Sequence, residues 1–201
     1  MDMKERILAG FKELAFTAGF HAATVDELSA RTGISKRTIY RYFKSKDEMV
    51  NAVMDELMAA TEKNITSALA SADTPVEKVL SLIRVASQNL RIVNPLIMRD
   101  MQKYYPHVWK RIEDFRARRV RTVIEMQVTG NMQGYFRETI PEVFTTALLA
   151  SIRDVLNPGF LLENNLTLEK AMVALFDIFL YGIVSDGARK PDGKNGPLPK
   201  G

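Results

Sequence analysis

The chain has 201 residues, 46% of them hydrophobic and 26% charged, proportions that belong to a globular protein and exclude a disordered one. It has no cysteine, which excludes disulfide frameworks, thiolate metal sites and a cysteine nucleophile and fits a reducing cytosol. The net charge of +4 is modest, so the distribution of charge matters more than its sum.

In chain order, the first predicted helix spans about 3–18, with Ile7, Leu8, Phe11, Leu14 and Ala15 in one stripe and Gly19 as its stop. Charge runs through this segment, which does not read as an apolar signal-peptide core. Gly10 inside it costs about 1 kcal/mol of helix propensity and marks a close helix crossing. Capping boxes place three further starts: Thr24 with Glu27, Ser45 with Glu48, and Thr74 with Glu77, the last followed by Pro75 at the first helical position. Short helices follow at about 24–31 and 36–42, a long one at 46–70 and another at 75–93. Pro95 opens a helix to about 103, and Pro106 one to about 129, before Gly130, Asn131 and Gly134 break the chain. Two last helices span about 141–156 and 167–186. The most apolar stretch, 171–184, contains Asp177 and is shorter than the ~18 residues a membrane span needs. From Arg189 the chain is rich in Pro, Gly and Lys and reads as a disordered tail. No alternating strand pattern occurs. The fold class is all-α: a small three-helix unit, a bridging fourth helix and a helical bundle.

Residues 24–43 carry the functional signal. From Arg31 to Lys46 there are six basic residues and no acidic one, a patch that suits a polyanion or a solvated helix face. Gly33 sits where a tight turn needs positive φ. Ile34 fills the angle between two short helices, and Ser35 can cap the second. Ile39 and Phe43 point inward, leaving Lys36, Arg37, Thr38, Tyr40 and Arg41 outward. Two short helices about a glycine turn, the second basic, form the geometry that lays a recognition helix in the major groove.

Residues 6–50 resemble the DNA-binding region of TetR/AcrR-type regulators. The resemblance rests on Arg6 to Ala9, Ala18-Gly19-Phe20, Thr24, Gly33-Ile34-Ser35, Thr38-Ile39-Tyr40, Tyr42-Phe43 and Lys46, in this order and spacing. Gly10 and Arg37 depart from the family's usual residues. The resemblance implies a DNA-binding domain at 1–45, an effector-binding and dimerisation domain at 46–187, and the tail at 188–201. It implies that Thr24 meets a phosphate at a helix N-terminus. Ser35, Lys36, Arg37 and Thr38 then lie at the groove, with Arg37 suited to a bidentate contact with guanine. Tyr40 meets a thymine methyl or a phosphate, while Arg41, Tyr42 and Lys46 are backbone contacts. Tyr42 fits the core equally well.

The resemblance further implies a cytoplasmic homodimeric repressor on a double-stranded, pseudo-palindromic operator, with no membrane partner. The last two helices would pair with a second copy through Val143, Ala147, Leu148, Ile152, Val155, Met172, Leu175, Phe179 and Ile183. A small-molecule effector would bind inside the bundle, where Met58, Met101, Tyr104, Trp109, Phe115 and Met126 are candidates. Arg116, Arg118, Arg119 and Arg121 read as a salt-bridged face, a coupling surface or ligands for an acidic effector. Two other functions stand beside this one. A DNA-bound scaffold would act through a protein partner. An enzyme would have to work without a metal constellation, a cofactor motif or a triad context for His21 and His107, so no catalytic residue, metal or cofactor is assigned.

Overall fold

The computed structural model describes residues 2–90, 95–131 and 134–183; within them, side chains are not described at 86–90, 96, 123, 126–131 and 183. The expected tail at 188–201 lies outside the described residues. The described residues form ten helices, the nine expected ones in their expected order and one further, α9: α1 (Met3–Ala18), α2 (Val25–Thr32), α3 (Lys36–Tyr42), α4 (Lys46–Ala70), α5 (Pro75–Leu90), α6 (Pro95–Tyr104), α7 (Pro106–Asn131), α8 (Pro141–Val155), α9 (Pro158–Glu163) and α10 (Leu168–Ile183). No strand occurs among the described residues, and none of their helices is long and apolar enough to cross a membrane.

The helix starts follow local chemistry. Thr24, Ser45 and Thr74 each accept a hydrogen bond from the amide three residues on, at 3.1, 3.1 and 3.2 Å. At Thr74 the box is reciprocal, since Glu77 accepts from the Thr74 amide at 3.1 Å. Glu48 instead reaches one residue past the cap, to the Lys44 amide at 2.6 Å. A fourth box, between Asp2 and Glu5, opens α1. The sequence reading missed α9. Pro158 occupies its first turn and Asn157 accepts from the Gly159 amide at 2.8 Å, a start of the same kind on an element too short to show periodicity.

The first three helices enclose Phe11, Phe20, Leu28, Ile39 and Phe43, all essentially fully buried. That core runs without a break into Met49, Val50 and Val53 of α4 and on to α6, α7, α8 and α10. Removing such side chains from water stabilises the fold by about 1.5–3 kcal/mol each. α5 is packed against α4 and α10, and α6 against α7 and α9.

Gly10 is the expected crossing point. A Cβ there would lie 2.6 Å from the Thr32 methyl and 3.2 Å from Leu28. Thr32 is held in place, because its hydroxyl donates to the Leu28 carbonyl at 2.7 Å and accepts from the Ile34 amide at 3.3 Å. Gly10→Ala gains about 1 kcal/mol of helix propensity and meets an overpacking cost of about 1–3 kcal/mol. The expected result is a net loss of the order of 1 kcal/mol, read as a lower urea midpoint. A raised midpoint would mean that Thr32 yields instead.

Candidate nucleic-acid interface

The outward face of α3 is fixed by what lies beneath and before it. Gly33 closes α2 in the left-handed region, at φ 69° and ψ 12°, where a side chain would be strained. Ile34 is buried just after the turn, and Ser35 caps α3 by accepting from the Thr38 amide at 3.2 Å. Ile39 and Phe43 are buried, so the helical screw turns Lys36, Arg37, Tyr40 and Arg41 to solvent. Tyr40, an amphipathic ring, leaves 50% of its surface exposed.

The basic patch is partly compensated. Lys36 pairs with Asp26 at 2.5 Å and Arg31 with Glu13 at 2.6 Å. Arg37 and Lys44 are exposed. Arg41 stacks over the Tyr42 ring at 5.3 Å, and Tyr42 is exposed, which settles it as a surface residue and not a core one. The Thr38 hydroxyl is 2.9 Å from that of Ser35, so it is engaged within the cap. Thr24 is exposed at the start of α2. Lys46 donates to the His21 carbonyl at 2.5 Å. Burial lowers its pKa, and Asp100 opposes that shift.

His21 ties this unit to the bundle. Its amide donates to Asp100 of α6 at 2.6 Å, and its ring stacks on Tyr104 at 3.7 Å between centroids. The Tyr105 hydroxyl donates to the Phe20 carbonyl at 3.3 Å. Burial, then the negative charges of Asp100 and Asp47, push the Tyr105 phenol up to about 12. Tyr104 therefore belongs to this junction, exposed beside His21, and not to a bundle interior as the sequence suggested. Of the other effector candidates, Met101 and Trp109 are buried, while Met58 and Phe115 are half-buried. The Met126 side chain lies outside the described residues. Among the described residues, no group of three or more His, Asp or Glu is placed to hold a metal.

The interface candidates fall on two different faces. Val143 and Ala147 are exposed on α8, and Phe179 is half-buried on α10. They border an open apolar groove with Thr139, Ile140, Phe144, Ile178 and Gly182. Leu148, Ile152, Met172 and Leu175 are instead buried within the chain's own core, and Val155 is half-buried. The correction has a simple cause: α8 is apolar on two sides, and only one of them is turned outward. Ile183 ends α10, with its side chain outside the described residues. Ile140 and Ile178, which sequence reasoning missed, are the most exposed apolar side chains on the groove, at 66% and 71%.

Residues 7–53 match the family described as bacterial regulatory proteins, tetR family. The helix-turn-helix-type transcriptional regulator YvaF of Bacillus subtilis is 27% identical over 185 residues, covering 92% of this chain and 97% of that protein. A transcriptional regulator from Saccharomonospora viridis, solved in complex with choline, shares the fold with a TM-score of 0.73 at 19% identity, over 90% of this chain and 97% of its own. Another, from Cytophaga hutchinsonii, gives a TM-score of 0.68 at 20% identity, over 90% and 98%.

Proposed function

We propose that the chain is a DNA-binding transcriptional regulator of the TetR type, acting in the cytoplasm as a homodimeric repressor released from its operator by a small molecule. The observation that carries the reading is the face of α3, where Lys36, Arg37, Tyr40 and Arg41 stand exposed on a helix whose other side is locked by Ile39 and Phe43. Such a helix can enter the major groove, where Arg37 reads guanine and Tyr40 meets a methyl or a phosphate. Thr24, Tyr42 and Lys46 contact the backbone around it. Lys36 must first leave Asp26, and Lys46 the His21 carbonyl, to reach DNA. Ser35 and Thr38 order the start of the helix and bring backbone amides to a phosphate.

One such helix spans too few base pairs for useful selectivity, so the reading requires two copies with half-sites about one helical turn apart. The groove between α8 and α10 supports pairing through those helices. The division into residues 1–45 and 46–187 is then a division of labour across one continuous core. Release works through α6, which meets the DNA-binding unit at Asp100 and Tyr104. A ligand that favours the DNA-incompetent arrangement weakens operator binding tenfold for every ~1.4 kcal/mol of preference.

Selection of bound sequences from a random duplex pool tests this directly. The expected winner is two-fold symmetric, and its affinity falls about 10³–10⁵-fold between 50 and 200 mM salt if ~6–10 phosphates are neutralised. A pool that yields no enriched sequence would overturn the reading.

A further inference from the structure

Arg116 lies on the buried side of α7. On a helical screw it falls between Trp109, two turns earlier, and Val120, one turn later, and both are buried. Its guanidinium carbon sits 5.2 Å from the centre of the Trp109 ring. Among the described residues it makes no hydrogen bond and no ion pair. Burial pulls its pKa down, and Glu113, on its own helix, offsets this only in part. The side chain nevertheless keeps part of its surface accessible, so it is surrounded by protein without being sealed. A guanidinium largely enclosed by protein and only partly compensated is a costly group for a core to contain.

A second unmet donor stands beside it. Arg119 is three residues on, a neighbour on the helix surface, and its Nε is buried with no hydrogen-bond partner among the described residues. The far end of that guanidinium is already paired with Glu62 of α4, and the group lies over the Phe115 ring. The pair with Glu62 leaves Arg116 as the less compensated of the two charges among the described residues.

We infer that Arg116, with the Nε of Arg119, is the anion-receiving end of an effector site, and that the effector is an organic carboxylate with an apolar body. The inference rests on the reading that the bundle binds a small molecule. One incompletely compensated positive charge suits a monoanion. A guanidinium fork matches the two oxygens of a carboxylate. The rings of Trp109 and Phe115 suit an apolar body next to that head group.

Trp109 is the chain's single tryptophan, so its fluorescence reports on this site without a label. The full-length protein is titrated with straight-chain carboxylates from butanoate to decanoate, with octanol as the uncharged match for octanoate and octyl phosphate as the dianionic one. The expected result is a saturable emission change with at least one carboxylate and binding roughly 10-fold or more weaker for both matches. Arg116→Met keeps the length and apolar stem and is expected to weaken carboxylate binding roughly 10- to 100-fold while melting no lower than the parent. Arg116→Lys keeps the charge without the fork, is expected to bind between the two, and serves if the methionine variant does not fold. No response from any carboxylate, octanol binding as tightly as octanoate, or unchanged binding in the Arg116 variants would each overturn the inference. Operator binding is followed in parallel. Carboxylates that bind but leave the operator occupied would keep this site and remove the effector role. A neutral compound that releases the operator, where carboxylates do not bind, would do the reverse.

Discussion

Arg37→Ala is expected to abolish discrimination between the selected operator and a copy altered in both half-sites, while leaving the fold untouched. A bidentate contact to guanine is worth about 1–3 kcal/mol. In a symmetric dimer the loss counts twice, so about 2–6 kcal/mol, or roughly 30-fold to 10⁴-fold, is at stake. Arg37 is exposed, so its removal uncovers no core, and the melting temperature should not move. Lys36→Ala is expected to cost less. Its ammonium is paired with Asp26 at 2.5 Å, with both side chains more than half exposed, and an exposed pair of this kind is worth about 0–1 kcal/mol. Breaking it offsets part of what a phosphate contact returns. The Lys36 variant should therefore bind all duplexes more weakly, with a shallower salt dependence. Competition binding at two salt concentrations separates these outcomes. If the double variant lacking both side chains binds the operator as the parent does, α3 is not the reading helix.

What the chain made legible was what local chemistry encodes. Thr24, Ser45 and Thr74 marked helix starts because a side-chain oxygen and an amide three residues later are neighbours in any fold. Gly33, Ile34 and Ile39 marked the turn because it needs a left-handed residue followed by buried ones. Gly10 announced a crossing because a glycine inside a helix is otherwise unfavourable. Partners supplied from far along the chain were not legible. Tyr104 stacks on His21, 83 residues away, and Arg119 reaches Glu62 on another helix. Nor does periodicity say which apolar side of a helix meets its own chain. Leu148 and Ile152 look as suited to a second copy as Val143 and Ala147 do, yet the first two are enclosed and the others open. The arginine run shows the same limit. In the chain it reads as a salt-bridged face, a coupling surface or a set of ligands, and only the packed structure brings Arg116 against Trp109 and Arg119 to Glu62.

Ile178→Asp is expected to split the proposed dimer without unfolding the protomer. Ile178 leaves 71% of its surface to water in the single chain, beside Ile140 at 66% and Val143 at 63%. An aspartate there removes little intrachain packing, so the isolated protomer should keep its helicity. In a two-fold interface every substitution appears twice, against the same patch of the partner. Two lost isoleucine burials amount to about 3–6 kcal/mol, and two carboxylates brought into an apolar seam add a desolvation cost. Dimer dissociation should therefore rise by at least roughly 10²- to 10⁴-fold, measured by analytical ultracentrifugation across a dilution series. Operator affinity should fall with it, because a lone protomer offers one recognition helix and one half-site. Leu148→Asp is the contrasting control. That side chain is buried in the chain's own core, so its replacement should unfold the protein and not merely separate two folded copies. An Ile178→Asp protein that remains dimeric at the parent's concentrations would place the interface elsewhere and leave the groove between α8 and α10 without this role.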